Sequence, residues 1–170
     1  MKTIAVILML VLANIAGAAQ SNPVDRLFDK YAGQEGFTSV YISSHMFSLF
    51  SNMEKSDKDF DEVFGKLKGI RILSSDKMIP GVNFYDELMK DLPLSHYEEL
   101  MVIHEKDQNV KFLINEKDGI ISELLMVVGG KDENVLISIR GQIDLKTISG
   151  LSESMKIKGL EQLEKIEEKR

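Results

Sequence analysis

Residues 97–140 read YEELMVIHEKDQNVKFLINEKDGIISELLMVVGGKDENVLISIR and decide the fold of this chain. Apolar side chains recur with a period of two in four runs, 97–105, 109–115, 120–128 and 135–140. Short polar segments that contain KDG at 117–119 and GGKD at 129–132 separate the last three runs, and such residues are typical of tight turns. The segment therefore predicts a four-stranded antiparallel meander.

Both faces of this meander carry apolar side chains. We assume the simplest register, in which Asn115 lies opposite Ile120 and Val128 lies opposite Val135. Because an antiparallel sheet with one wet face alternates apolar and polar residues, we expect helices or a partner to cover both faces. One face then carries Met101, Ile103, Val110, Phe112, Ile114, Ile121, Leu125, Val127 and Leu136, and the other carries Leu100, Val102, Leu113, Ile120, Leu124, Met126, Val128, Val135, Ile137 and Ile139.

The same register places Glu123 directly across from Arg140. Opposite charges on facing strands stabilise a sheet by ~0.2–1 kcal/mol. The pair is therefore interpreted as a structural cross-strand ion pair, and the alternative is a polar feature in a ligand groove.

The residues before the meander predict helices and two short strands. Asn22 and Pro23 are typical of a helix start, and Asp25 is an acidic residue of the first turn. Apolar side chains follow at i, i+3, i+4 and i+7 up to Gly33. Further helices are predicted after Ser44, from Ser56 to Gly69 and between residues 81 and 93, with strands at 37–43 and 70–73. We expect an α+β fold: N-terminal helices and two short strands, the four-stranded antiparallel meander, and a C-terminal helix.

The first nineteen residues are typical of a secretory signal peptide. Lys2 precedes an apolar run at 4–12 that is too short for the ~20 residues of a spanning helix, and small residues at 16–19 favour cleavage after Ala19 or Ala18. A retained membrane anchor is the alternative. We expect a periplasmic or secreted protein with one α+β domain at 20–156 and a charged helix at 157–170.

Composition excludes several kinds of site. The 170 residues have a formal charge of −6 and no cysteine, so disulfides and thiolate sites are excluded. The negative charge argues against nucleic-acid binding, which needs a basic surface. We expect no stable membrane anchor after cleavage.

The residue types of common catalytic and metal sites are present, but their spacing does not fit. The chain has three histidines, His45, His96 and His104, and none stands at the spacing of a metal site or a catalytic triad. The acidic run at 57–62 resembles the start of a calcium loop, but it has Glu62 where the loop needs glycine and Lys68 where it needs a bidentate Glu. The sequence predicts no catalytic, cofactor-binding or metal-binding residues.

Several segments resemble a known family. These are LFDKY at 27–31, GFTSVYIS at 36–43, GIRIL at 69–73, YEELM at 97–101 and ISELL at 121–125. Together they are similar to the domain of unknown function 4252, a family of exported proteins common in Bacteroidetes. The resemblance implies a bacterial envelope protein without an assigned activity, in an envelope-stress or signalling setting.

These observations favour a non-enzymatic exported module. We expect it to bind an envelope protein, another envelope component or a second copy of itself, through the sheet or its flanking helices. The alternative is a small periplasmic hydrolase or ligand carrier, which would need a pocket where groups such as His104, Glu123 or Arg140 converge.

Overall fold

The protein is described by a computed structural model that covers residues 21–53, 65–75, 77 and 79–143. The predicted signal peptide, the C-terminal helix at 157–170 and most of the helix predicted from Ser56 lie outside these residues. The described helices are α1 (Pro23–Tyr31), α2 (Ser44–Met53) and α3 (Phe84–Asp91), and a 3₁₀ turn follows at Leu94–His96. The strands are β1 (Thr38–Ser43), β2 (Leu67–Ser75), β3 (Glu98–His104), β4 (Gln108–Lys117), β5 (Ile120–Gly130) and β6 (Asn134–Ile143).

All six strands form one antiparallel sheet in the order β1-β2-β6-β5-β4-β3. The predicted α+β arrangement was therefore wrong: the two early strands extend the meander, and among the described residues those in strands outnumber those in helices two to one. The cause is a pairing between distant segments, since β2 joins β6 from Ser75↔Asn134 to Leu67↔Gly141. Leu67 also belongs to this strand and is buried, so the helix predicted from Ser56 does not reach Gly69.

The β4–β5 connection differs from the assumed register. Asn115 lies opposite Glu123 instead of Ile120, because β4 continues to Lys117 and the turn is only Asp118 and Gly119. Both turn residues have positive φ, 56° and 76°, as a two-residue hairpin turn requires. A bulge near Asn115 then shifts the pairing by one residue. Phe112 therefore lies on the same face as Leu124, Met126 and Val128, whereas the assumed register placed it on the opposite face.

Apolar side chains are buried on both faces of the sheet. The first face, which we call the α2 face, includes Phe47 from α2 among its buried residues. The second, the α1/α3 face, packs side chains of α1 and α3 against the strands. Its buried residues are Val24, Leu27, Phe28, Tyr31, Leu73, Phe84, Leu88, Leu92, Leu113, Leu125, Val127 and Leu136.

Close packing holds α3 on the sheet. Gly129 lies within β5, and a side chain there would overlap Asn83 and the backbone of Tyr85 at 2.7 Å. Buried Asn134 of β6 accepts a hydrogen bond of 2.8 Å from the backbone N–H of Phe84, the first residue of α3. Gly129 is therefore needed because α3 approaches β5 closely at this point. The sequence had indicated a turn at the Gly129–Gly130 pair. No helix of the described residues has the length and apolar character needed to cross a bilayer.

Candidate functional site

A group of polar side chains, which we call the polar band, interrupts the α1/α3 face at one end. Its members are Asp25, Arg71, Tyr97, Glu123, Ser138 and Arg140. Strand alternation explains the position of the β6 members, because Ser138 and Arg140 point to the same face as Leu136. Arg140 lies opposite Glu123 of β5 on one side and opposite Gly69 of β2 on the other.

The Glu123 carboxylate is the centre of the polar band. Only 5% of Glu123 is exposed, and its Oε1 accepts hydrogen bonds from Arg140 Nε at 2.8 Å and Ser138 Oγ at 2.7 Å. Its Oε2 accepts a hydrogen bond of 2.7 Å from the Tyr97 hydroxyl. The side-chain pair that the sequence placed across the strands is thus part of a larger network.

Asp25 connects this network to α1. The helix begins at Pro23, and the Asn22 side chain accepts a hydrogen bond of 2.9 Å from the backbone N–H of Val24. In the first turn, Asp25 Oδ1 accepts hydrogen bonds of 2.8 Å from both Arg71 Nη1 and Arg140 Nη1. One carboxylate on the helix therefore bridges cations on two neighbouring strands.

Burial and charge shift two pKa values in the polar band. Burial raises the pKa of Tyr97 well above its ordinary value, and the nearby Glu123 carboxylate raises it further. Burial alone would lower the pKa of Arg140, but Glu123 and Asp25 outweigh it and the pKa of Arg140 is raised. The two arginines and two carboxylates have a net charge of zero. Arg140 Nη2 is nevertheless buried without a hydrogen-bond partner.

Two concavities lie against the polar band. The larger one, the cleft, has a volume of about 1130 Å³ and is lined by residues of the α1 start, the α3 end and the sheet. Its lining includes Arg26, Lys90, His96, Tyr97, Asn115 and Glu123. An ion pair of 2.8 Å between Arg26 and Asp91 joins the two helices at its border.

The smaller concavity, the basin, has a volume of about 210 Å³. Its lining residues are Tyr41, Lys68, Gly69, Arg71, Ser138 and Arg140. The Arg71 guanidinium carbon lies 5.2 Å from the ring centres of both Phe28 and Tyr41, so two aromatic rings hold this cation. The cleft and the basin have no lining residue in common, but Glu123 of the cleft is hydrogen-bonded to Arg140 of the basin.

The histidines do not join this site as a group. His104 Nδ1 is hydrogen-bonded to Asn109 Oδ1 at 2.7 Å, and its ring meets Tyr85 edge-on, away from the polar band. His96 lines the cleft, whereas His45 is exposed on α2. Within the described ranges, no group of three or more His, Asp or Glu residues could hold a metal ion.

Sequence reasoning missed four members of the polar band, namely Asp25, Arg71, Tyr97 and Ser138. Asp25 was interpreted only as a first-turn acid, and Tyr97 only as the start of a strand. Arg71 carried a usable signal, since a lone cation between Ile70 and Ile72 on a buried strand needs a counterion. The partner on α1 depends on long-range packing, which no local pattern indicates.

The comparisons with known proteins identify a family but no activity. Neither curated proteins nor solved structures give a significant match to this chain. The model of the domain of unknown function DUF4252 matches residues 31–151, more than half of the chain. That range includes β1 to β6 and every member of the polar band except Asp25. The chain therefore belongs to the DUF4252 family.

Proposed function

We propose that this protein is an exported, non-enzymatic binding module that recognises an envelope component through the cleft. The observation that carries the proposal is the construction of the cleft: a broad concavity with a charged floor whose side chains are held by one another. Glu123 accepts three hydrogen bonds, one of them from Tyr97, and Arg26 is paired with Asp91, so these lining groups are fixed before a partner arrives. Fixed polar groups favour specific recognition because little side-chain freedom is lost on binding.

The lining of the cleft indicates a polar partner. It offers the cations Arg26 and Lys90 and the exposed His96, next to the carboxylates of Asp91 and Glu123. A mixed set of charges suits a polar segment of an envelope protein better than an apolar ligand. The volume of about 1130 Å³ exceeds that of an ordinary small-molecule pocket, ~300–1,000 Å³.

Export is part of this proposal. It is supported by the charged start, the short apolar run and the small residues within positions 1–19. A Bacteroidetes source and a role in envelope-stress signalling are the finer parts of the proposal, and they come from what the family resemblance implies. Cell fractionation of the full chain tests the export part: we expect a shortened protein in the envelope fraction, and an uncut chain in the cytoplasm would contradict it.

A ligand carrier is the second candidate, and the basin favours it. The basin is small and is lined by three cations, as a site for one charged group would be. A hydrolase has less support, because the Ser138 hydroxyl donates to Glu123 and Ser138 is only 1% exposed.

Site-specific photo-crosslinking tests the cleft directly. The full chain would carry a photoreactive amino acid at His96, in the cleft, or at Lys131, an exposed position in the turn at the other end of β5. We expect discrete crosslinked products in the envelope from position 96 and none of the same size from position 131. The charge-reversing substitution Lys90→Glu should weaken the products from position 96. Identical products from both positions, or none from position 96, would contradict binding through the cleft.

A further inference from the structure

We propose that the basin is a binding site for a single oxyanion group, a carboxylate or a phosphate. This inference deepens the proposed binding role and rests on it for the biological importance of the site. The site itself is argued from the charges, the fixed geometry and the size of the basin.

The charged side chains that line the basin are all positive. Lys68, Arg71 and Arg140 line it, whereas the carboxylates of Asp25 and Glu123 hold the arginines without lining the basin. Lys68 is exposed and has no salt-bridge partner among the residues that the structure describes. The three cations and two carboxylates leave one positive charge in a chain whose total is −6. A local positive charge on an acidic protein attracts anions to this position.

The arginine side chains are held in place before a ligand binds. Arg71 lies between the rings of Phe28 and Tyr41, and its Nη1 is bonded to Asp25. Arg140 uses Nη1 and Nε on Asp25 and Glu123. Guanidinium groups match the oxygen spacing of carboxylate and phosphate, and a held guanidinium loses little freedom when it binds one.

Arg140 retains one unused donor. Its Nη2 is buried and has no hydrogen-bond partner, although Arg140 lines the basin. A buried donor without an acceptor is costly, and the cost is higher on a charged group. An oxygen atom of a bound anion is the acceptor that this position needs.

The size of the basin limits the ligand to one group. Its volume of about 210 Å³ is below the ~300–1,000 Å³ of ordinary ligand pockets. The base of the basin is closely packed, since a Cβ atom on Gly69 would lie 3.1 Å from the Ile42 carbonyl oxygen and 3.5 Å from the Tyr41 ring. Tyr41, which also lines the basin, is 58% exposed, so the basin is open to solvent beside this side chain.

Titration of the full chain with sodium phosphate, with sodium acetate and with sodium chloride at equal ionic strength tests the proposal by NMR. We expect phosphate or acetate to move the backbone amide signals of Gly69, Arg71 and Ser138 in a saturable way. The substitution Lys68→Gln removes one cation without touching the arginine network, and we expect it to weaken binding about tenfold. Lys66→Gln is the matched control, because Lys66 is exposed nearby and does not line the basin.

The three salts and the two variants distinguish the results that support an oxyanion site from those that overturn it. Signals that move with both oxyanions assign the basin to their shared chemistry, and signals that move with phosphate alone narrow the ligand to phosphate; both support the proposal. Equal movements in chloride, equal weakening by Lys66→Gln, or no saturable movement would overturn it. Crosslinking at position 96 does not depend on Lys68, so the basin and the cleft can fail separately.

Discussion

The α1/α3 face contains two regions that are stabilised by different interactions, apolar packing under α3 and ion pairs in the polar band. Under α3 the contacts are apolar and close, and Gly129 leaves no room for a side chain. In the polar band, α1 and the strands are joined by paired charges around Glu123 and Asp25. Buried ion pairs contribute little net stability because they first lose hydration, whereas close apolar packing contributes directly. The apolar region should therefore determine the stability of the fold, and the polar band should determine where its side chains point.

The largest effect is expected at Gly129. A Cβ atom in Gly129→Ala would lie 2.6 Å from the Cβ of Tyr85, so α3 must shift away from β5. We expect the free energy of unfolding to fall by about 3 kcal/mol in urea denaturation. Gly130→Ala is the control, since its Cβ atom would lie 3.2 Å from Gln108 Cγ and 3.3 Å from two backbone oxygens, well outside the overlap at Gly129. We expect a loss below about 1 kcal/mol. Equal losses would contradict close packing as the cause.

Glu123→Gln should have the second largest effect, in the polar band. The amide removes a buried negative charge that faces Arg140, while Asp25 still compensates part of the positive charge. We expect a loss of about 2 kcal/mol in the free energy of unfolding. Glu99→Gln is the matched control, because Glu99 binds Lys111 at 2.6 Å but its side chain is 50% exposed, and its loss should be below about 1 kcal/mol. A loss as large for Glu99→Gln would remove the distinction between buried and exposed pairs.

Asp25→Asn tests whether the ion pairs of Asp25 hold α1 in position, apart from their effect on the stability of the whole fold. It weakens the bridge to Arg71 and Arg140, although Asp25 is partly exposed, so we expect a loss of about 1 kcal/mol. Amide hydrogen exchange in α1 should accelerate more than exchange in α3. Asp29→Asn changes an exposed acid on the same helix and should leave exchange unchanged. If both variants accelerate exchange equally, the bridge does not position α1.

The smallest loss in the free energy of unfolding at neutral pH is expected from Tyr97→Phe, and this loss should shrink in alkali. The pKa of Tyr97 is raised in the folded protein, mainly by burial, so its contribution to stability is complete below the unfolded pKa of ~10 and is lost as the pH rises above it. The slope is at most ~1.4 kcal/mol per pH unit for one proton. Tyr97→Phe should reduce this slope in urea denaturation at alkaline pH.

Tyr31→Phe provides the comparison in the apolar region. The pKa of Tyr31 is also raised, by burial and by its hydrogen bond to Glu87, but the shift is smaller than that of Tyr97. We expect Tyr31→Phe to reduce the alkaline slope over a narrower pH range. An unchanged slope in the Tyr97→Phe variant would contradict the burial of the Tyr97 hydroxyl beside Glu123.

Local patterns predicted those parts of the fold that depend on local alternation. The antiparallel sheet was predicted because alternation in β3 to β6 is regular, and the family was confirmed by the match over residues 31–151. The pairing of β2 with β6 was missed because it joins segments far apart in the chain. The β4–β5 register was missed because it depends on the Asp118–Gly119 turn and on a nearby bulge. Both shift one strand against the other, but they leave the alternation of apolar and polar residues along each strand almost unchanged.

The candidate site was predictable only in part for the same reason. Glu123 and Arg140 were placed together because they lie on adjacent strands joined by a short connection. Asp25 and Arg71 enter the site from segments whose position depends on packing. No local pattern contains that information.

The β2–β6 pairing also sets the order in which this chain can fold during translation. A ribosome releases β1 and β2 well before it has made β6, so the β2 edge that pairs with β6 has no partner strand until residue 143 emerges. Strands that pair with a segment far away in the sequence fold slowly, and until they pair, their exposed edges can aggregate. A chain truncated before residue 134 lacks β6 and should therefore yield insoluble protein.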